Sequence, residues 1–151
     1  MRAFLIDTDV ASDDAVALIM ALRAPGVRVV AITTVAGNVD VQQATRNALC
    51  TVELCDADVR VYSGAEKPLT RDHQSATWFH GRDGMGDHNY SAPKQRYEEL
   101  NAVDALIQAI ESNPGLVLVT LGPLTNIAMA LQKRPAIASM ESRSSSASRR
   151  R

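Results

Sequence analysis

The feature that most constrains this chain is a regular alternation of short apolar segments with helix-like segments. We predict strands at four apolar, largely β-branched stretches, which are residues 3–6, 27–34, 59–62 and 116–121. We predict helices over residues 12–24, 39–56, 101–113 and 124–133. Such an alternation is typical of an α/β fold, in which helices cover both faces of an open, mostly parallel sheet.

Two regions depart from this alternation. Residues 63–100 form a long irregular stretch rich in Gly, Asp, His and aromatic residues, which is typical of a lid or a binding loop. Residues 138–151 are rich in Ser and Arg and offer almost no side chain that a core would bury. We therefore predict one α/β domain over residues 1–137, followed by a disordered tail over residues 138–151.

Composition excludes several classes of protein. The net charge is −1, and because four arginines lie in the predicted tail, the rest of the chain is acidic and poorly suited to nucleic acid. No apolar run reaches the roughly 18 residues that a membrane span needs. Cys50 and Cys55 lack metal-binding or CxxC spacing, which predicts reduced thiols in a cytoplasmic protein.

Four carboxylates crowd into the segment DTDVASDD, residues 7–14, between the first strand and the first helix. Ser12 is predicted to cap that helix. Asp13 and Asp14 fit its first turn, where the helix dipole favours anions. Like charges at such close spacing repel each other, so a positive partner is expected among them.

The carboxyl ends of parallel strands meet at one rim of a sheet, where ligands bind. Asp7 and Asp9 leave the first strand at this rim, and Asn38 and Leu121 follow the second and fourth strands. Such oxygen donors favour a hard cation, either Ca²⁺ with six to eight oxygen ligands or Mg²⁺ with more waters. An EF-hand does not fit, because Leu18 stands where that loop needs Glu. Helix capping by solvated acids, without a metal, remains the simpler alternative at this point.

Four sequence blocks then indicate a family. They are DTDVASDDAVAL at residues 7–18, ITTVAGNV at 32–39, HGRDGMGD at 80–87 and LGPLTNIA at 121–128. In this order they resemble the signature blocks of the inosine-uridine-preferring nucleoside hydrolases, and the resemblance covers residues 3–137. The first block departs at Val10-Ala11, where many members have Pro-Gly, but it retains every carboxylate.

The resemblance implies a Ca²⁺ cofactor and a hydrolytic reaction. Asp9 and Asp14 would be metal ligands together with the backbone carbonyl of Leu121, and Asp7 would support the metal site. Asp9 would also be the base that activates a metal-bound water. That water would attack the anomeric carbon of a ribonucleoside and separate the base from the ribose.

The resemblance also implies substrate contacts and assembly. Asp13 would hydrogen-bond a ribose hydroxyl, and Asn38 and His80 would lie close to the substrate. Other members form homo-oligomers when full-length, and neither a membrane nor nucleic acid is implied. The remaining histidines, His73 and His88, are expected to be solvated, and the aromatic pair at residues 78–79 is expected to line a base pocket or to anchor its loop.

Members of the family are about twice as long, and their second half supplies a further Asp ligand and a His. We therefore expect a truncated or frame-shifted product with an incomplete metal site and little activity alone. One alternative is a haloacid-dehalogenase-type phosphatase, in which Asp7 is the nucleophile and Asp9 the acid/base near Mg²⁺. Another is a non-catalytic remnant that binds a metal or ribose.

Overall fold

The sheet contains four strands, namely β1 (Arg2–Thr8), β2 (Val27–Thr34), β3 (Val61–Tyr62) and β4 (Val117–Thr120). In the computed structural model, which describes residues 1–139, they are all parallel and lie in the order β3-β2-β1-β4. β1 is therefore central, with β2 on one side and β4 on the other. The predicted α/β fold with a parallel sheet is confirmed.

Five helices lie wholly within residues 1–139, namely α1 (Ser12–Arg23), α2 (Val41–Leu54), α3 (Thr77–His80), α4 (Ala102–Ser112) and α5 (Thr125–Lys133). Successive strand residues point to opposite faces. Ile6 and Ile32 pack into the core formed with α1 and α2, whereas Leu5 and Ala31 pack into the core formed with α4 and α5. Helices thus cover both faces of the sheet, as the apolar strands predict.

The start of α1 differs from the prediction. Ser12 is the first helical residue rather than the cap, and the capping position belongs to Ala11. The Ala11 N–H is satisfied by the Asp14 carboxylate at 3.3 Å. The Ser12 hydroxyl instead donates to the Gly84 carbonyl at 3.2 Å, so it ties α1 to the distant glycine-rich block.

The long loop begins against the end of β2. The Ala36 N–H donates to the Ala65 carbonyl at 2.9 Å, and the Ala76 N–H donates to the Asn38 carbonyl at 2.8 Å. Residues 65–76 are therefore attached to the turn that follows β2. This places the predicted binding loop beside the rim of the sheet.

The predicted disordered tail lies mostly outside the described residues, which end at Ser139. Ala138 and Ser139 themselves are in a helical turn, because their N–H groups donate to the carbonyls of Pro135 and Ala136. Among residues 1–139 there is no helix long and apolar enough to cross a bilayer.

Candidate active site

Asp7 is the most enclosed of the four acids. It lies near the end of β1, fully buried, and its Oδ1 accepts hydrogen bonds from Thr33 Oγ1 at 2.6 Å and from Asn126 Nδ2 at 2.8 Å. Its Oδ2 has no hydrogen-bond partner among the residues described. Burial raises the pKa of Asp7 to about 6, although the two donors act in the opposite direction.

Asn126, near the start of α5, is a site residue that sequence reasoning missed. Besides contacting Asp7, its Nδ2 donates to the Thr34 carbonyl at 2.8 Å, and its Oδ1 accepts from the Ala65 N–H at 2.9 Å. One fully buried amide thereby connects β1, β2 and the long loop. The only signal in the sequence was a polar residue inside the GPLTN block.

Asp9 follows β1 and is confined by two glycines. Its Oδ2 accepts a hydrogen bond from the Asn38 N–H at 2.6 Å. A Cβ placed on Gly37 would overlap this oxygen, and a Cβ on Gly122 would lie 2.8 Å from Oδ1. Neither position therefore accommodates a side chain without moving Asp9, and the carboxylate is held between the turns that follow β2 and β4.

Asp14 lies beside Asp9 in the first turn of α1, and it is also buried. Burial and the neighbouring charge of Asp9 raise the pKa of Asp14 to about 7. The preceding acid, Asp13, is exposed at the same helix start. A buried carboxyl whose ionisation is opposed by burial and by a neighbouring charge is the arrangement that a bound cation would relieve.

A cavity of about 160 Å³ opens beside Asp9, and its walls also include Asn38, Arg71, His73 and Pro123. The expectation that His73 is solvated is wrong, because it is half-buried and its Nε2 lies 2.8 Å from the Gly37 carbonyl. The same expectation is confirmed for His88, which is exposed.

His80 lies at the end of α3, where its ring packs edge-on against Phe79. It is half-buried and is not among the residues that line this cavity. The aromatic neighbours Trp78 and Phe79 are 85% and 72% exposed, so they anchor no buried cluster. The structure thus leaves the predicted substrate contact of His80 untested.

The glycine-rich block at residues 80–87 packs against the segment that carries the acids. Buried Asn47 on α2 donates from Nδ2 to the Val10 carbonyl at 2.9 Å and to the Asp83 carbonyl at 2.8 Å. A Cβ on Gly84, which has a φ of 73°, would lie 2.7 Å from Val39. The block therefore packs closely against the loop that carries Asp9.

The acids fit part of a hard-cation site. The Leu121 N–H donates to the Asp7 carbonyl at 2.8 Å, which fixes Leu121 at the rim next to Gly122. The unpartnered Asp7 Oδ2 and the raised pKa values of Asp7 and Asp14 are those of carboxylates that lack a positive partner. Nevertheless, residues 1–139 contain no group of three or more His, Cys, Asp or Glu side chains arranged to hold a metal. The donor set is thus partial.

Comparison with known proteins now decides the family. Residues 4–143 match the family described as inosine-uridine preferring nucleoside hydrolase. The chain belongs to this family. It is 39% identical over 138 residues to uridine nucleosidase 1 of Arabidopsis thaliana, and 40% identical over 132 residues to the non-specific ribonucleoside hydrolase RihC of Salmonella agona.

Among solved structures, the purine-preferring ribonucleoside hydrolase from Gardnerella vaginalis superimposes with a TM-score of 0.87 at 34% identity. That alignment covers 92% of this chain and 46% of the other. The two curated relatives align with 89% and 87% of this chain but only 41% and 43% of their own lengths. The chain therefore spans less than half the length of the relatives it matches.

The phosphatase alternative is not supported. No comparison above indicates such an enzyme, and Asp7, the nucleophile it requires, is fully buried behind Thr33 and Asn126. A nucleophile must reach the atom it attacks.

Proposed function

We propose that this chain supplies the Asp9 side of a nucleoside hydrolase site, which cleaves the N-glycosidic bond of ribonucleosides. The observation that carries the proposal is the adjacent burial of Asp9 and Asp14 at the strand rim, where Asp9 lines a small cavity. Family membership gives this arrangement its reaction class. The same proposal includes a role in nucleoside catabolism, with purine salvage. It also includes a cytoplasmic location, where the two free cysteine thiols would stay reduced.

The proposed cofactor is Ca²⁺. Asp9, Asp14 and the carbonyl of Leu121 would hold it, and the buried Asp7 would support the site. A bound cation of this kind lowers the pKa of a coordinated water and so supplies a nucleophile near neutral pH. Ca²⁺ takes six to eight oxygens, so waters, ribose hydroxyls or further protein groups must complete the set.

The chain's own residues would act as follows. Asp9 accepts the proton of the attacking water, and the Asn38 N–H holds its Oδ2 in place while it does so. The negative charge of Asp9 and Asp14 stabilises the positive charge that develops on the ribose ring. Asp13, exposed at the start of α1, would hydrogen-bond a ribose hydroxyl.

The exposed aromatic pair is proposed to receive the nucleobase. Trp78 and Phe79 follow Ala76, which is hydrogen-bonded to the Asn38 carbonyl, so the pair begins next to the cavity. Aromatic faces stack on nucleobases, and their partly apolar surface gains from being covered. His80, one residue further on, would contact the same part of the substrate.

A second candidate function is binding of Ca²⁺ or ribose without turnover, in an assembly or alone. The partial donor set among residues 1–139 favours it. Groups that act as a unit in catalysis lose most of their effect when one is missing, whereas binding declines more gradually.

The experiment uses the whole 151-residue chain. Ca²⁺ binding is measured by calorimetry, and hydrolysis of inosine and uridine is followed with Ca²⁺ present, for the wild type, Asp14→Asn and the control Asp58→Asn. Asp58 is exposed at the opposite end of the sheet. We expect Ca²⁺ binding that Asp14→Asn weakens at least about tenfold and Asp58→Asn leaves unchanged. Turnover supports the hydrolase, and Ca²⁺ or ribose binding without turnover supports the second candidate. Absence of Ca²⁺ binding contradicts the hydrolase, and absence of ribose binding as well, measured by the same calorimetry, contradicts the second candidate.

A further inference from the structure

One peptide group in the turn after β2 is hydrogen-bonded on both sides. Its carbonyl, from Gly37, lies 2.8 Å from His73 Nε2, and its N–H, from Asn38, donates to Asp9 Oδ2 at 2.6 Å. We propose that His73 is a positioning residue that orients the Asp9 carboxylate through this shared peptide group. The effect of His73 on catalysis rests on the proposed function, in which Asp9 is the base. The orientation of Asp9 by His73 does not.

The geometry fixes the direction of the hydrogen bonds. A carbonyl oxygen only accepts, so His73 Nε2 carries the hydrogen and donates it to Gly37. Donation to a peptide carbonyl polarises the group and strengthens the hydrogen bond made by its N–H. The acceptor of that second bond is the carboxylate oxygen of Asp9, and hydrogen bonds to charged acceptors are about twice as strong as neutral ones.

The hydrogen bond from His73 is not the only contact that attaches residues 65–76 to the turn after β2. Backbone hydrogen bonds from Ala36 to Ala65 and from Ala76 to Asn38 join the same loop to the same turn. Neither of these bonds involves the His73 side chain. Removing the imidazole is therefore expected to loosen Asp9 without releasing residues 65–76.

The turn transmits the effect because it has little room to adjust. Asp9 Oδ2 is in close contact with Gly37, and the Gly37 N–H is itself bonded to the Val39 carbonyl at 3.0 Å. A shift of the peptide group must therefore move the carboxylate. Residues that orient a metal ligand typically change metal affinity by about 10- to 100-fold when removed.

The test compares His73→Leu, which removes the donor, with His73→Gln, whose amide N–H has a similar reach, and with His73→Asn, whose amide is too short. His88→Leu is the control, since His88 is exposed on the same loop. The first readout is the amide proton of Asn38, by NMR chemical shift and hydrogen exchange. The second is Ca²⁺ affinity of the full chain by calorimetry.

We expect His73→Leu and His73→Asn to move the Asn38 amide upfield, to speed its exchange about tenfold or more, and to weaken Ca²⁺ binding about tenfold. His73→Gln should stay near the wild type, and His88→Leu should change nothing. An unchanged Asn38 amide in both His73→Leu and His73→Asn would overturn the proposal, and so would failure of His73→Gln to restore it.

The two proposals fail differently. If the wild-type chain binds no Ca²⁺ and cleaves no nucleoside, but the Asn38 amide depends on His73, the proposed function is wrong and the positioning role stands. If the wild type binds Ca²⁺ but the shift and exchange of the Asn38 amide proton do not change when His73 is replaced, the positioning role is wrong and the proposed function stands.

Discussion

The two sides of strand β1 differ in how far their side chains are buried and hydrogen-bonded. Toward β2, buried side chains join neighbouring elements, as in the hydrogen bonds from Thr33 to Asp7 and from Asn126 to the Thr34 carbonyl. Toward β4, the apolar side chains of Val117, Leu121 and Leu124 are 36%, 39% and 58% exposed. The β4 side thus leaves apolar surface exposed, even though Gly122 and Asn126, which follow β4, contact Asp9 and Asp7.

The β4 side also lacks the charges that usually protect a sheet edge. β4 ends the sheet order, and residues 113–126 contain no charged side chain. Exposed edge strands with apolar side chains pair readily with other chains. The comparison therefore teaches that stability depends on the buried polar contacts made toward β2, whereas the apolar surface at β4 is exposed and contributes less.

The largest expected effect comes from removing the buried side chain of Asn126, which reaches from the start of α5 to β1, β2 and the long loop. Asn126→Ala leaves Asp7 Oδ1, the Thr34 carbonyl and the Ala65 N–H each without one buried partner, and should lower the free energy of unfolding by about 3–4 kcal/mol. Urea unfolding followed by circular dichroism measures it.

The matched change on the β4 side is Leu124→Ala. Because Leu124 is mostly exposed, its loss should alter the free energy of unfolding by no more than about 0.5 kcal/mol. Equal effects of the two substitutions would refute the contrast between the sides.

A second expected effect concerns pH. The folded-state pKa of Asp7, about 6, and that of Asp14, about 7, lie above the unfolded value of 3.8. Between about pH 4 and pH 7 the folded chain therefore binds more protons than the unfolded chain, and its stability falls as pH rises. For Asp7 alone the loss is about 3 kcal/mol, at about 1.4 kcal/mol per pKa unit. Urea unfolding in EDTA across this range measures the slope.

Ca²⁺ should reverse that slope, because a cation binds the ionised carboxylates and stabilises the folded state. Asp14→Asn should flatten the slope in EDTA and reduce the response to Ca²⁺. Stability that rises with pH in EDTA would show that Asp7 and Asp14 ionise normally, and would remove the electrostatic reason for a cation.

The smallest expected effect lies on the outer helices near β4. Lys133 Nζ donates to Asp104 Oδ1 at 2.6 Å, and this bond lowers the pKa of Asp104. The sign is opposite to that of Asp7, because stability is gained above the unfolded pKa and lost as pH falls. Lys133→Met should cost only about 0.3–0.5 kcal/mol at neutral pH, and less at high salt. A cost of several kcal/mol would mean that the β4 side is as tightly built as the β2 side.

Local patterns in the sequence were sufficient to predict the fold. Pro25-Gly26 correctly ended α1, and the β-branched run at residues 27–34 matched β2 throughout. The third strand is shorter than predicted, Val61–Tyr62 rather than residues 59–62, because only Ile32 and Thr33 of β2 pair with it. Strand length depends on the partner, which no local pattern contains.

The site was predictable where residues follow strands and unpredictable where contacts are distant. Asp9 and Asp14 were placed at the rim by topology alone. Asn126 contacts Asp7 from 119 positions away, and His73 contacts Gly37 from 36 positions away. Asn126 lies inside the GPLTN block, but nothing local indicates its contact with Asp7, and His73 has no local signature at all. An amide in a helix and a histidine in a loop are ordinarily solvated.

The confinement of Asp9 between Gly37 and Gly122 has a thermodynamic consequence. A carboxylate that is already held in one rotamer loses little conformational entropy when a ligand arrives, so less of the interaction energy is consumed in ordering it. Two residues without side chains, from turns 85 positions apart, thereby preorganise a third. Anyone transplanting these acids into another scaffold would need to carry both turns along with them.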